Sequence, residues 1–337
     1  MLLLVLQFIG LAAVIVIFGI MLAKYADAIA EITGLGRTLA GLVLLAAATS
    51  LPELAVDCSF ALSEAPDFAV GALVGSSLFN LLILGVMDFS HRYPDRIFSA
   101  ASSKHILSAS TSLLLTGVVI LFLVLSQQNL KFVWNGFGLG PFVIFVLYIL
   151  SLRMVYMSES DDEDEEASSD GMTLRRALIG YLVTTAIIFF AASALAPTSE
   201  KLAEVTGLGG TFVGSTFVAL TTSLPELVTT AAAVRMGSFD LAIGNVLGSN
   251  NFNMAILFPV DCVYRKGTLL GDAELSHAIT GCIVMVITAI TILSMVYRPR
   301  KRNVLLDPGA GMVVVLAILA ISALYYLSPA STALPAP

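Results

Sequence analysis

The chain contains one segment written twice. Residues 22–54 and 195–227 align without a gap at an offset of 173, with 17 identities in 33 positions. At the same offset D-F-A-V-G-A-L-V-G-S-S-L-F-N (67–80) aligns with D-L-A-I-G-N-V-L-G-S-N-N-F-N (240–253). Apolar composition alone would not repeat Thr, Ser, Pro, Glu, Gly and Asn in place. An internal repeat of this kind constrains the fold more than any single motif.

The medium follows from composition. Of 337 residues, 58% are apolar and 12% charged. Soluble domains run near 45–50% and about 25%. A soluble enzyme, a disordered chain and a nucleic-acid binder are excluded; the 17 Lys and Arg form no basic face. Cys58, Cys262 and Cys282 sit in apolar runs without metal or redox spacing, and His91, His105 and His277 are scattered. They read as packing residues, with no cofactor implied.

Apolar runs long enough to cross a bilayer fall near 3–23, 38–62, 68–88, 105–126, 133–156, 176–196, 211–235, 241–264, 275–297 and 310–328. The first lacks the basic start of a signal peptide and is too long for one. The reading is an all-α polytopic membrane protein of ten transmembrane helices, five in each half. Residues 1–156 form the first half, with its repeat at about 38–88. Residues 174–337 form the second, with its repeat at about 211–261. Five is odd, so the two copies cross the membrane in opposite senses. Inverted repeats of this kind place a site at mid-membrane between the copies.

The connector, 157–173, holds eight carboxylates between Glu159 and Asp170. Such a run repels itself and stays solvated, and no EF-hand spacing is present. With both termini outside, the cytoplasmic connections hold 13 Lys and Arg and the outer ones 4. That asymmetry places the acidic linker in the cytoplasm. The expected location is the plasma membrane.

Glu53 and Glu226 each stand 15 residues into a span. An ionisable group at that depth is costly and marks function. No Lys or Arg lies near the middle of any span, so the acids call for a cation or for protons. Each is preceded by the same polar group: Thr49, Ser50 and Pro52, and Thr222, Ser223 and Pro225. A proline inside a helix frees carbonyls in the preceding turn, here near Ala48 and Leu45 and near Thr221 and Val218. Carboxylate, hydroxyl and carbonyl oxygens suit hard cations. In the next span of each half, Gly71 and Gly75, or Gly244 and Gly248, allow close helix approach. Ser76 with Asn80, and Ser249 with Asn253, share one helix face and add oxygens. Asp67 and Asp240 read as N-caps. Asp57, Asp88 and Asp261 are candidates for an access or proton site; Asp57 has only Thr230 as its counterpart.

These motifs resemble the two α-repeats of the cation/Ca²⁺ antiporter superfamily, the sodium/calcium exchanger family of prokaryotic type. The resemblance covers essentially the whole chain, because both signatures occur twice with the same Glu-to-Asn spacing. It implies that Glu53 and Glu226 bind both Ca²⁺ and Na⁺. It implies that Thr49 and Thr222 help bind Ca²⁺, and Ser50, Ser223, Ser76 and Ser249 help bind Na⁺. The carbonyls of Ala46 and Ala219 would contribute. The pattern departs from the family at Ala48 and Thr221, where Gly often precedes Thr-Ser, and at Ser77, where Asn is usual. Asn253 stands where some prokaryotic members carry Asp, which leaves two core carboxylates. The implied function is export of Ca²⁺ in exchange for Na⁺. H⁺ in place of Na⁺ is the first alternative, and a passive cation channel the second. An intramembrane enzyme lacks a nucleophile or metal constellation.

Overall fold

A computed structural model describes residues 1–90, 97–128, 133–134, 137–159, 172–206, 220–297 and 309–327. The described chain is helical apart from one short hairpin. In the first half lie α1 (Leu2–Thr33), α2 (Arg37–Leu62), α3 (Pro66–Ser90), α4 (Ser103–Gln127) and α5 (Leu139–Glu159). In the second lie α6 (Leu174–Val205), α7 (Leu224–Arg235), α8 (Phe239–Ala255), α9 (Leu257–Val263), α10 (Ser276–Val296) and α11 (Ala310–Leu327). Among the described residues, seven helices are long and apolar enough to cross a membrane. Leu2, Leu6, Ile9, Leu182 and Phe190 are more than half exposed, as expected of side chains that face lipid.

Two helices outrun their apolar stretches. α1 continues to Thr33 and α6 to Val205, each 32 residues. At 1.5 Å per residue each reaches about 48 Å, longer than the hydrocarbon core. α1 stops where a residue in left-handed conformation is needed, and Gly34 supplies it (φ 66°). Its polar last turns find partners. The Arg37 Nε donates to Asp27 Oδ1 at 2.8 Å, and Ser238 Oγ donates to the same oxygen at 2.9 Å. α6 runs through Pro197 without ending. α5 begins later than the apolar run. Val133–Trp134 and Phe137–Gly138 pair as an antiparallel hairpin before it.

α8 lies at the centre. It packs on α2, α3, α4 and α7, while α1 lies along α6 and α7. The approach of α8 to α2 depends on glycine. A Cβ at Gly248 would meet the Leu42 Cα and carbonyl oxygen at 2.6 Å. One at Gly244 would meet the Thr38 carbonyl oxygen at 2.7 Å. Small residues thus bring the helices of opposite halves into backbone contact.

Asp67 and Asp240 stand in the first turns of α3 and α8 rather than at the caps, and each reaches another helix. Asp67 Oδ1 accepts from the Glu274 N–H at 2.6 Å and lies 3.3 Å from His277 Nε2. Asp240 meets buried His105, whose Nε2 is 3.2 Å from its carbonyl oxygen. The N-cap expectation is corrected: each Asp lies inside the first turn, where Asp67 reaches Glu274 and His277 and Asp240 meets His105.

Candidate cation-binding site

α2 is not a uniform helix. Residues Ala40–Leu45 form a π-helical segment, followed by α-helix from Ala46 through Pro52 to Leu62. The wider turn leaves carbonyls for other donors. Tyr181 O–H donates to the Leu44 carbonyl at 2.9 Å. Thr49 Oγ1 lies 3.0 Å from the Leu45 carbonyl and 3.3 Å from that of Ala46. In the second half the backbone solves the problem differently. Ser223 is a turn residue (φ −87°, ψ 11°), and α7 starts after it with Pro225 in its first turn. There a missing N–H costs nothing.

The two motifs meet. Thr49 Oγ1 is 3.5 Å from Ser249 Oγ, and Ser50 Oγ donates to Glu226 Oε1 at 3.3 Å. Glu53 lies within electrostatic reach of Glu226 and Asp57. Thr49, Ser50, Glu226, Ser249 and Asn253 are fully buried; Glu53 is 8% exposed. Ser76, Asn80 and Ser223 are buried, and Thr222 is half-buried. Ala46 is buried on α2; Ala219 lies outside the described residues.

Many of these polar atoms have no protein partner. Among them are Glu53 Oε2, Glu226 Oε2, Ser223 Oγ and both amide atoms of Asn80 and Asn253. Natural interiors pair nearly all such groups. Buried oxygens without a protein partner suit a hard cation, and two carboxylates within reach of one another call for a cation or for protons.

The other three acids divide. Asp57 is 1% exposed and neither carboxylate oxygen has a protein partner. Asp88 and Asp261 are buried and hold backbone. Asp88 Oδ1 accepts from the Phe98 N–H at 2.7 Å. Asp261 accepts from the Leu269 and Gly138 N–H groups, each at 2.6 Å. They anchor matching short helices, Ile97–Ala100 and Leu269–Asp272, in the two halves.

Sequence reasoning named Asn253 of α8 but not Asn245 or Asn250 as members of the site. Asn245 Nδ2 donates to Thr229 Oγ1 and Thr230 Oγ1, both at 2.9 Å. Asn250 is 1% exposed with both amide atoms unpartnered beside the cluster residue Ser249. The signal was present: Asn245, Asn250, Asn251 and Asn253 all stand in the one helix α8.

The family model described as sodium/calcium exchanger protein matches residues 3–157 and 176–328. The chain belongs to the sodium/calcium exchanger family. It is a helical membrane protein and an ion antiporter of that family. The inner membrane protein YrbG of Escherichia coli is 29% identical over 336 residues, covering 95% of this chain and 98% of that one. The sodium/calcium exchanger MaX1 of Methanosarcina acetivorans is 25% identical over 309 residues, covering 80% and 85%. The solved structure of the sodium-calcium exchanger NCX_Mj soaked with 10 mM Na⁺ and zero Ca²⁺ superposes with a TM-score of 0.69. It is 20% identical and covers 96% of this exchanger-family chain and 99% of its own. That likeness concerns the fold.

Proposed function

We propose that this family member is a secondary antiporter that exports Ca²⁺ in exchange for Na⁺ through one mid-membrane site shared by two inverted halves. The observation that carries the reading is the contact between halves at Ser50–Glu226, beside Glu53, among buried oxygens that no protein donor satisfies. Glu53 and Glu226 supply two negative charges, which one Ca²⁺ neutralises. Thr49, Thr222, Ser50, Ser223, Ser76, Ser249, Asn80, Asn253 and the carbonyls of Ala46 and Ala219 supply neutral oxygens. Ten spans in two groups of five fit the helices described, with α7 inside the seventh run and the eighth running through α8 and α9. The 13-to-4 division of basic residues supports outside termini and a cytoplasmic linker. A relative named as an inner membrane protein supports the plasma membrane as the location.

The proton-coupled alternative draws on Asp57, a third buried acid within reach of Glu53. Ca²⁺ flux into liposomes holding the purified protein separates the readings. A Na⁺ gradient at equal pH on both sides drives saturating Ca²⁺ movement if Na⁺ is the counter-ion. Movement driven only by a pH gradient favours H⁺ coupling. Flux independent of any counter-ion makes the protein a channel and ends the antiporter reading.

A further inference from the structure

A groove of about 320 Å³ opens between α1 and α7. Val16, Ile20 and Lys24 line it from α1; Leu227, Val228, Ala231, Ala232 and Arg235 line it from α7. Both sets are stripes at helical spacing, and each ends in a cation. At 100° per residue, Leu227, Val228, Ala231 and Arg235 lie on the face of α7 turned away from Glu226. The groove is therefore separate from the cation cluster. The floor is close-packed: a Cβ at Gly19 would meet Val228 Cγ1 at 2.8 Å. Val16 on the rim is 40% exposed.

The chemistry at the two ends differs. The body is apolar. At the mouth, Lys24 and Arg235 are exposed, and among the described residues neither has an ion-pair or hydrogen-bond partner. Nearby Arg37, by contrast, is held by Asp27. Two unpaired cations capping an apolar slot on a membrane-facing helix pair complement a molecule with an acyl chain and an anionic head. Basic pockets at the ends of transmembrane helices bind anionic lipid in this way. The acidic linker of the same chain matches the charge but not the slot, since residues 160–170 contain only Ala167 to place on an apolar wall.

We infer that the α1–α7 groove binds an anionic phospholipid, its phosphate between Lys24 and Arg235 and an acyl chain along Val16, Ile20, Leu227 and Val228. The bound lipid would tether α1 to the helix that carries Glu226. The inference requires a membrane protein but not the Ca²⁺/Na⁺ reading, and its test measures lipid, not transport.

The test is native mass spectrometry of the full-length protein in detergent, titrated separately with phosphatidylglycerol and phosphatidylcholine of the same acyl chains. Phosphatidylglycerol should be retained in preference. Replacing both cations (Lys24→Gln with Arg235→Gln) should weaken that retention by about thirtyfold, near fivefold for each charge. The Lys24→Arg, Arg235→Lys pair should retain it. Ala231→Trp fills the slot with both cations in place and should also displace the lipid, which keeps the test decisive if the double Gln variant does not fold. Equal retention of the two lipids would overturn the inference. So would phosphatidylglycerol retention that appears only once residues 160–170 are removed, which would make the linker the partner of the cations, or retention unchanged by Ala231→Trp.

Discussion

The two repeats share their residues but not their backbone. In the first, Thr49, Ser50 and Glu53 sit on a continuous helix that absorbs Pro52 and widens to a π turn at Ala40–Leu45. In the second, helical residues 220–222 give way to a turn at Ser223, and helix resumes at Leu224. The halves also differ in charge and polarity. Asp57 faces Thr230 across the repeat, Ser77 faces Asn250, and Ala72 faces Asn245. Asn245 ties α8 to Thr229 and Thr230, whereas Asp57 has no protein partner. The shared residues fix which oxygens are available. The differing backbones decide which of them meet, here Ser50 with Glu226 and Thr49 with Ser249.

The largest expected effect tests what the halves have in common. Glu53→Gln and Glu226→Gln should each abolish Ca²⁺ transport. Removing one charge from a buried ion set costs about 3–5 kcal/mol, a hundredfold or more in affinity. Uptake by liposomes measures it. Near-normal transport by one variant and none by the other would break the equivalence of the two acids.

Glycine packing sharpens the contrast between halves. Gly244→Ala puts its Cβ against the Thr38 carbonyl oxygen, while Gly71→Ala meets the His277 ring at 2.9 Å. Backbone cannot move aside; a side chain can. The first should destabilise by about 1–3 kcal/mol and the second by less than about 1 kcal/mol. Thermal inactivation of the purified variants in detergent should rank them so, and equal loss would contradict the packing account.

Asp57 tests the asymmetry. It stands one turn from Glu53, about 6 Å away. At an effective dielectric of about 20, a charge there is worth about 2–3 kcal/mol to a cation in the cluster. Asp57→Thr, which copies the second half, should raise the Ca²⁺ concentration for half-maximal uptake by about thirtyfold or more. No change would mean that Asp57 does not act on the cluster. The smallest effect belongs to the linker. Deleting residues 160–170 should leave uptake within about twofold, because a self-repelling segment contributes no packed contact. Complete loss in a correctly inserted variant would give the linker a part in transport.

The site was legible because it is written twice. Glu53 and Glu226 stood out by depth, and their neighbours by identity at a fixed offset. What stayed hidden depends on tertiary partners. The run Ala40–Leu45 is uniformly apolar, and nothing in A-G-L-V-L-L distinguishes a π turn from an α turn. The last turns of α1 carry Lys24, Asp27 and Glu31 and read as a loop, yet Asp27 is held by Arg37 at the start of α2 and by Ser238, 211 residues away. Asp88 and Asp261 read as candidates for an access or proton site near helix ends. Their backbone partners at Phe98, Leu269 and Gly138 arise only when the connections fold back.

A Ca²⁺ titration of the purified protein tests the central claim, that two halves build one site. The account predicts one Ca²⁺ bound per chain, lost in full by either Glu53→Gln or Glu226→Gln. Two Ca²⁺ per chain, with each substitution removing one and leaving the other, would contradict it.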